Sequence, residues 1–139
     1  MTLLDVGPLL ALTWDGHAAH DRAQEWLESA STPLMVCRVA GMGLLRLLTI
    51  PAVLEDDVLT RQQAWATLDQ LLSDERFIWC DEPIGMTAEF RSLSAVDDHS
   101  HKLWTDDYLA AFALASSASL TTLDRKFSAR YPQLDVVVI

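Results

Sequence analysis

Five short apolar stretches, set at helix-length intervals, constrain this chain more than any other feature. They are Thr2–Asp5, "LMVC" (34–37), "FIWC" (77–80), "SLTTL" (119–123) and "DVVVI" (135–139). Short apolar runs bounded by helical segments read as strands buried on both faces, joined by helical crossovers. The expectation is one α/β domain over residues 1–139, with a central parallel sheet of four to five strands covered by helices on both faces. A chain of 139 residues can bury such a core without staples.

The connecting segments carry their own signals. Pro8 suits the first turn of a helix, where its missing N–H is no loss, and that helix should run to about Trp14. After an Asp15-Gly16 turn, Ala19, Ala23, Trp26, Leu27 and Ala30 recur at helical spacing, and Thr32-Pro33 should break that helix. Further helices are expected in "RVAGMGLLRLLTI" (ended by Pro51), in 60–74, within 83–96, in 105–118 with Thr105 as N-cap, and briefly in "DRKFSARY". There is no internal repeat, low-complexity tract or linker.

Composition narrows the function. Half the residues are hydrophobic, which excludes a disordered chain. Cys37 and Cys80 form no C-x-x-C pattern and read as buried thiols in a reducing compartment. No secretory leader pattern and no membrane-length apolar run is present, so the expectation is a soluble cytoplasmic protein without a membrane role. A net charge of −10 excludes nonspecific coating of nucleic acid, although a local basic rim or bound cations can reverse the sign at one site. There is no G-x-S-x-G, Walker loop or dinucleotide-binding glycine pattern.

In parallel sheets, sites form at the carboxyl ends of the strands. Asp5 ends the first strand, Asp124 follows the fourth, and Asp106 opens a helix. Converging carboxylates repel one another and need cations, and a few hard oxygens suit Mg²⁺ or Mn²⁺. Such ions activate water for attack on a phosphodiester. Each acid also has an ordinary reading: Asp106 and Asp107 as complements to a helix dipole, Asp124 as a cap. Asp5 shows no evident cap duty.

Taken together, "LLDVGPLLAL", "WTDDYLAAFALA" and "LTTLDRKF" resemble the PIN-domain family, most closely its VapC-type toxins, and "HAAHDRAQEWL" and "LLRLLTIPAVL" extend the resemblance over nearly the whole chain. The resemblance implies a metal-dependent endoribonuclease, the toxin of a toxin–antitoxin pair, with Asp5, Asp106 and Asp124 as catalytic metal ligands. It also implies a homodimer and a cognate antitoxin that places a basic side chain in the acidic groove. Thr105 matches a common polar position. Two positions depart: Gly7 stands where the family usually has Asn, Ser or Thr, and Gly43 where a fourth acid, commonly Glu, is usual. These departures leave two alternatives beside the toxin: a degenerate PIN domain that binds RNA or antitoxin with little cleavage, and a housekeeping RNA-processing nuclease.

Other residues carry weaker signals. Arg125, Lys126, Arg46 and Lys102 are candidates for RNA phosphates, or simply solvated charges. Trp104 is the one tryptophan near enough to Asp106 for base stacking, the others being core or dimer-face candidates. His17 and His20 share a helix face without a third ligand, and capping or solvation is the plainer reading. His99 and His101 precede Asp106 in a loop.

Overall fold

A computed structural model describes residues 1–30 and 33–139. Five strands, β1 (Thr2–Leu4), β2 (Leu34–Cys37), β3 (Phe77–Cys80), β4 (Ser119–Thr122) and β5 (Val136–Val138), form one sheet in the order β3-β2-β1-β4-β5. Every pairing is parallel, with Leu3 opposite Met35 on one side and Leu120 on the other. The expected parallel α/β architecture is therefore the observed one, at the upper end of the expected strand number.

Helices α1 (Val6–Thr13), α2 (His20–Ser29), α3 (Arg38–Leu48), α4 (Pro51–Leu54) and α5 (Arg61–Leu72) lie between the first three strands. Helices α6 (Met86–Ser94) and α7 (Trp104–Ala115) connect β3 to β4, and the single-turn α8 (Phe127–Arg130) connects β4 to β5. From β1 the chain steps outward to β2 and β3, then crosses back to β4 and β5. Right-handed crossovers then place α1–α5 on one face of the sheet and α6–α8 on the other. Helix α3 packs on α1 and α5, while α6 packs on α7. Leu3, Leu4, Leu34, Leu44, Leu109, Leu120, Phe112 and Phe127 are fully buried between the layers.

Local chemistry explains the helix ends and corrects some expected ones. Pro51 does more than stop α3: it is the first residue of α4, which a 3-10 turn at Glu55–Asp57 continues. Thr60 caps α5 through a complete capping box with Gln63. Thr105 is not an N-cap, because α7 starts at Trp104 with Leu103 in the cap position. The helix after Asp15-Gly16 begins only at His20. Its expected break lies partly outside the described residues, of which Pro33 is one. Cys37 and Cys80 are in register on neighbouring strands as free thiols, Cys37 buried and Cys80 only partly so. No helix among the described residues is long and apolar enough to cross a membrane.

Candidate active site

Adjacent strands β1 and β4 send their chains to opposite faces of the sheet. The carboxyl edge between them is therefore the crevice where open α/β sheets place ligands. Asp5 leaves β1 there. Its N–H donates to the Thr121 carbonyl at 3.0 Å, which ties it to β4. Contrary to the sequence expectation, Asp5 does have a cap duty. It is the N-cap of α1, accepting the Val6 N–H on Oδ1 at 2.7 Å. Its Oδ2 accepts the Thr122 hydroxyl at 2.7 Å.

From Thr122 the network runs on without interruption. The Thr122 hydroxyl accepts the Asp124 N–H at 3.0 Å, and Asp124 Oδ1 accepts the Lys126 N–H at 2.9 Å. Arg130 then joins Asp124 to Asp106. One guanidinium nitrogen donates to Asp124 Oδ2 at 2.6 Å and to Asp106 Oδ2 at 2.8 Å. The guanidinium lies over the Phe127 ring, 5.4 Å from its centroid, and its Nε is buried without a partner. Thus β1, β4, α7 and α8 each deliver one member of the cluster: Asp5, Thr122, Asp106 and Arg130.

The electrostatics sort the three acids. Burial pushes the Asp5 carboxyl above its usual range, against the hydrogen bonds from Thr122 and Val6, and the charge of Asp124 adds to the rise. Burial likewise raises Asp106, opposed chiefly by the charge of Arg130. Asp124 is lowered, first by its hydrogen bond from Arg130 and then by the Lys126 backbone. Two of three carboxylates therefore sit where a negative charge is disfavoured and a further cation would be welcome.

Among the described residues, no three His, Cys, Asp or Glu side chains are gathered closely enough to hold a metal ion by themselves. Arg130 stands between two of the acids. In donor type the three carboxylates at this sheet edge are the hard oxygens a divalent cation takes, and Arg130 already neutralises two of them.

The remaining candidates divide. Thr105 is exposed in the first turn of α7, and Arg125 and Lys126 are exposed on the turn after Asp124. Arg46 is not at this edge. It is eight residues along α3, about 12 Å from the helix start, and lines a groove toward α5 with Met42, Arg61 and Trp65. Arg38, at the start of α3, is the basic residue that α3 brings to the carboxyl edge, 5.2 Å over the Trp79 ring. His17 and His20 serve the backbone. His17 Nδ1 accepts the Ala19 N–H at 2.9 Å, and His20 Nδ1 is 2.7 Å from the Ala11 carbonyl. His99, His101 and Trp104 line a cleft of about 730 Å³ together with Asp107, Arg130 and Tyr131. Behind it, the Tyr131 hydroxyl donates to the buried Asp107 at 2.6 Å, so Asp107 is engaged with Tyr131 and not with the cluster.

Of the two departing glycines, Gly43 is a filled position and Gly7 a tight one. A Cβ at Gly43 would lie 2.6 Å from Val6 Cγ2, and one at Gly7 would lie 3.3 Å from Leu123 Cδ1. Gly43 faces Val6, the residue next to Asp5, whose methyls occupy the space beside it. The sequence reading missed Arg130 and Thr122. Arg130 was findable: it follows Phe127 at helical spacing, six residues beyond Asp124.

The PIN-domain family model matches residues 2–131 of the chain. Ribonuclease VapC41 of Mycobacterium tuberculosis is 37% identical over 134 residues, 92% of each chain. Among solved structures, Mycobacterium tuberculosis VapC20, a sarcin-ricin loop cleaving toxin, superposes with a TM-score of 0.70 at 15% identity, covering 94% of this chain and 95% of its own. A chain of Rickettsia felis VapBC2, bound to a DNA fragment from its promoter, gives a TM-score of 0.68 at 17% identity, covering 99% and 98%. The latter two show the shared fold. With a family match over nearly the whole chain and a relative of this identity, the chain belongs to the PIN-domain family, among its VapC-type members.

Proposed function

We propose that the chain is a metal-dependent endoribonuclease, the toxin of a toxin–antitoxin pair, which hydrolyses RNA phosphodiester bonds. One observation carries the reading. Asp5, Asp106 and Asp124, far apart in sequence, belong to one polar cluster at the β1–β4 carboxyl edge, through Thr122 and Arg130. The similarity to ribonuclease VapC41 supports the substrate class, and the likeness to VapBC assemblies supports an antitoxin partner.

Asp5, Asp106 and Asp124 would hold Mg²⁺, with Mn²⁺ as a substitute. The ion supplies an activated water and stabilises the leaving oxygen. The chain's own groups do the positioning. Thr122 fixes the Asp5 carboxylate and, through the Asp124 N–H, the start of the next loop. The α1 N-terminus holds the other Asp5 oxygen. Thr105, Arg125 and Lys126, exposed in the segments that carry Asp106 and Asp124, would meet RNA phosphates, whereas Arg46 lies in a groove toward α5. A basic antitoxin side chain would suit the same acidic edge, and a homodimer accords with the family. The filled space at Gly43 favours one second reading, a PIN domain that binds its partners and cleaves slowly.

The test is cleavage of a labelled RNA with Mn²⁺ by wild type and by Asp5→Asn, Asp106→Asn and Asp124→Asn. Each variant should lose more than the roughly 10–100-fold typical of outer-shell changes. A variant at the wild-type rate under saturating Mn²⁺ would remove that acid from the site. Wild type that binds Mn²⁺ and RNA without cleaving would establish the second reading.

A further inference from the structure

Among the described residues, Arg130 is the cation paired with two of the acids. Its guanidinium nitrogen reaches Oδ2 of both Asp106 and Asp124, at 2.8 and 2.6 Å. Among the described residues, no three acidic ligands are gathered at metal-holding distance. The arrangement is also incomplete. Arg130 Nε is buried with no acceptor, an expensive state for a charged group's donor. The same side chain lines the cleft of about 730 Å³ that continues past Trp104, His99 and His101. Its stacking on Phe127, 5.4 Å to the ring centroid, gives it a platform independent of the acids.

We propose that Arg130 is the resident cation of the metal-free site, competes with the divalent ion for Asp106 and Asp124, and, once released by that ion, holds an RNA phosphate at the mouth of the cleft. This rests on the endoribonuclease reading of the same site. A guanidinium held by those two carboxylates and a divalent cation drawn to the same charges would compete for them. Once released, it regains a full set of donors, including Nε, in the fork that matches phosphate. The released charge then lies beside a carboxylate cluster to which a phosphate must come. There it offsets the repulsion between the two.

The prediction is a split in sign. By calorimetry, Arg130→Ala should bind Mn²⁺ about tenfold more tightly than wild type, a change equivalent to about 1.4 kcal/mol. At saturating Mn²⁺ the same variant should cleave RNA with kcat/KM reduced by about tenfold or more, mostly through KM. Arg130→Lys keeps the charge but offers a phosphate a single point donor in place of a fork. It should fall between the two in Mn²⁺ affinity and recover part of the loss in KM. If Arg130→Ala does not fold, Arg130→Lys carries the same two measurements. A residue that merely braces the acids would weaken metal binding and cleavage together, and that result overturns the proposal. Tighter Mn²⁺ binding with an unchanged KM would overturn the phosphate role, and unchanged Mn²⁺ affinity the competition. Should wild type and variants all fail to bind Mn²⁺ or to cleave RNA, the reading of the whole site has failed, and this inference with it.

Discussion

Putting a side chain on Gly43 sets two known effects against each other at the edge of the site. Glycine inside α3 is about 1 kcal/mol worse for the helix than alanine, so Gly43→Ala should stabilise the protein in isolation. The structure forbids that gain. The new Cβ would stand 2.6 Å from Val6 Cγ2 and 3.2 Å from Val6 Cγ1, where ordinary carbon contacts lie at about 3.5–4.0 Å. Valine is stiff at χ1 and cannot turn its two methyls away. Overpacking of this kind costs about 1–3 kcal/mol, so Gly43→Ala should be a net loss of about 1 kcal/mol. Val6→Ala removes two partly buried methyls, a loss of about 0.8 kcal/mol. In that background the clash is gone, and Gly43→Ala should stabilise by about 1 kcal/mol. The coupling between the positions is then about 2 kcal/mol, well above the roughly 0.5 kcal/mol expected of independent sites. Urea unfolding in EDTA, followed by circular dichroism on the four proteins, measures it. Additive effects, or a stabilising Gly43→Ala in the wild-type background, would show that Val6 does not fill this space. A fourth acid introduced as Gly43→Glu meets the same methyls, and should strengthen Mn²⁺ binding only with Val6→Ala beside it.

In EDTA, Asp5→Asn should be more stable than wild type at neutral pH, with an advantage that shrinks as pH falls toward the usual carboxylate range. The raised Asp5 carboxyl binds protons in the native state that the unfolded chain has released, so wild-type stability declines as pH rises through that window. Melting temperatures from pH 4 to 8 test this, and an advantage independent of pH would refute it. Asp124→Asn should behave oppositely. Its carboxyl is held low by Arg130, so it contributes stability that is lost as pH falls through its folded value, and the variant should melt below wild type at pH 7. An Asp124→Asn protein that melts higher at pH 7 would mean the Arg130 bridge contributes nothing. Tyr131→Phe strips the hydroxyl donor from buried Asp107 and should cost about 1–3 kcal/mol in urea unfolding. A loss under about 0.5 kcal/mol would show that Asp107 finds another partner.

The order of strands and helices was legible because apolar strands and periodic helices repeat at lengths that only a parallel sheet accommodates. That Asp5, Asp106 and Asp124 would meet at one sheet edge was legible from their places after strands and at a helix start, although the cap duty of Asp5 was not. What the sequence concealed was pairing across distance. Nothing near Asp5 announces that Thr122 will donate to it, since the two meet only because β1 and β4 are neighbours. Arg130 went unremarked among the charges, because only the turn of α8 brings it back over Phe127 toward Asp106 and Asp124. Arg46 was misplaced for the converse reason: it belongs to a segment that starts at the carboxyl edge, but a helix of that length carries it away. At Gly43 the absence of the usual acid was legible, but not that the neighbouring Val6 would fill the space beside it.

The central claim is that the carboxylate edge of β1 and β4 cleaves RNA only with a divalent cation. The direct measurement is the initial rate of cleavage of a labelled RNA by the purified protein across a Mn²⁺ titration, beginning in EDTA. The account predicts no cleavage above background in EDTA, a saturable rise with Mn²⁺, and no rise for Asp5→Asn at any concentration. Cleavage in EDTA at the Mn²⁺-saturated rate, or an Asp5→Asn protein that follows the wild-type curve, would contradict it.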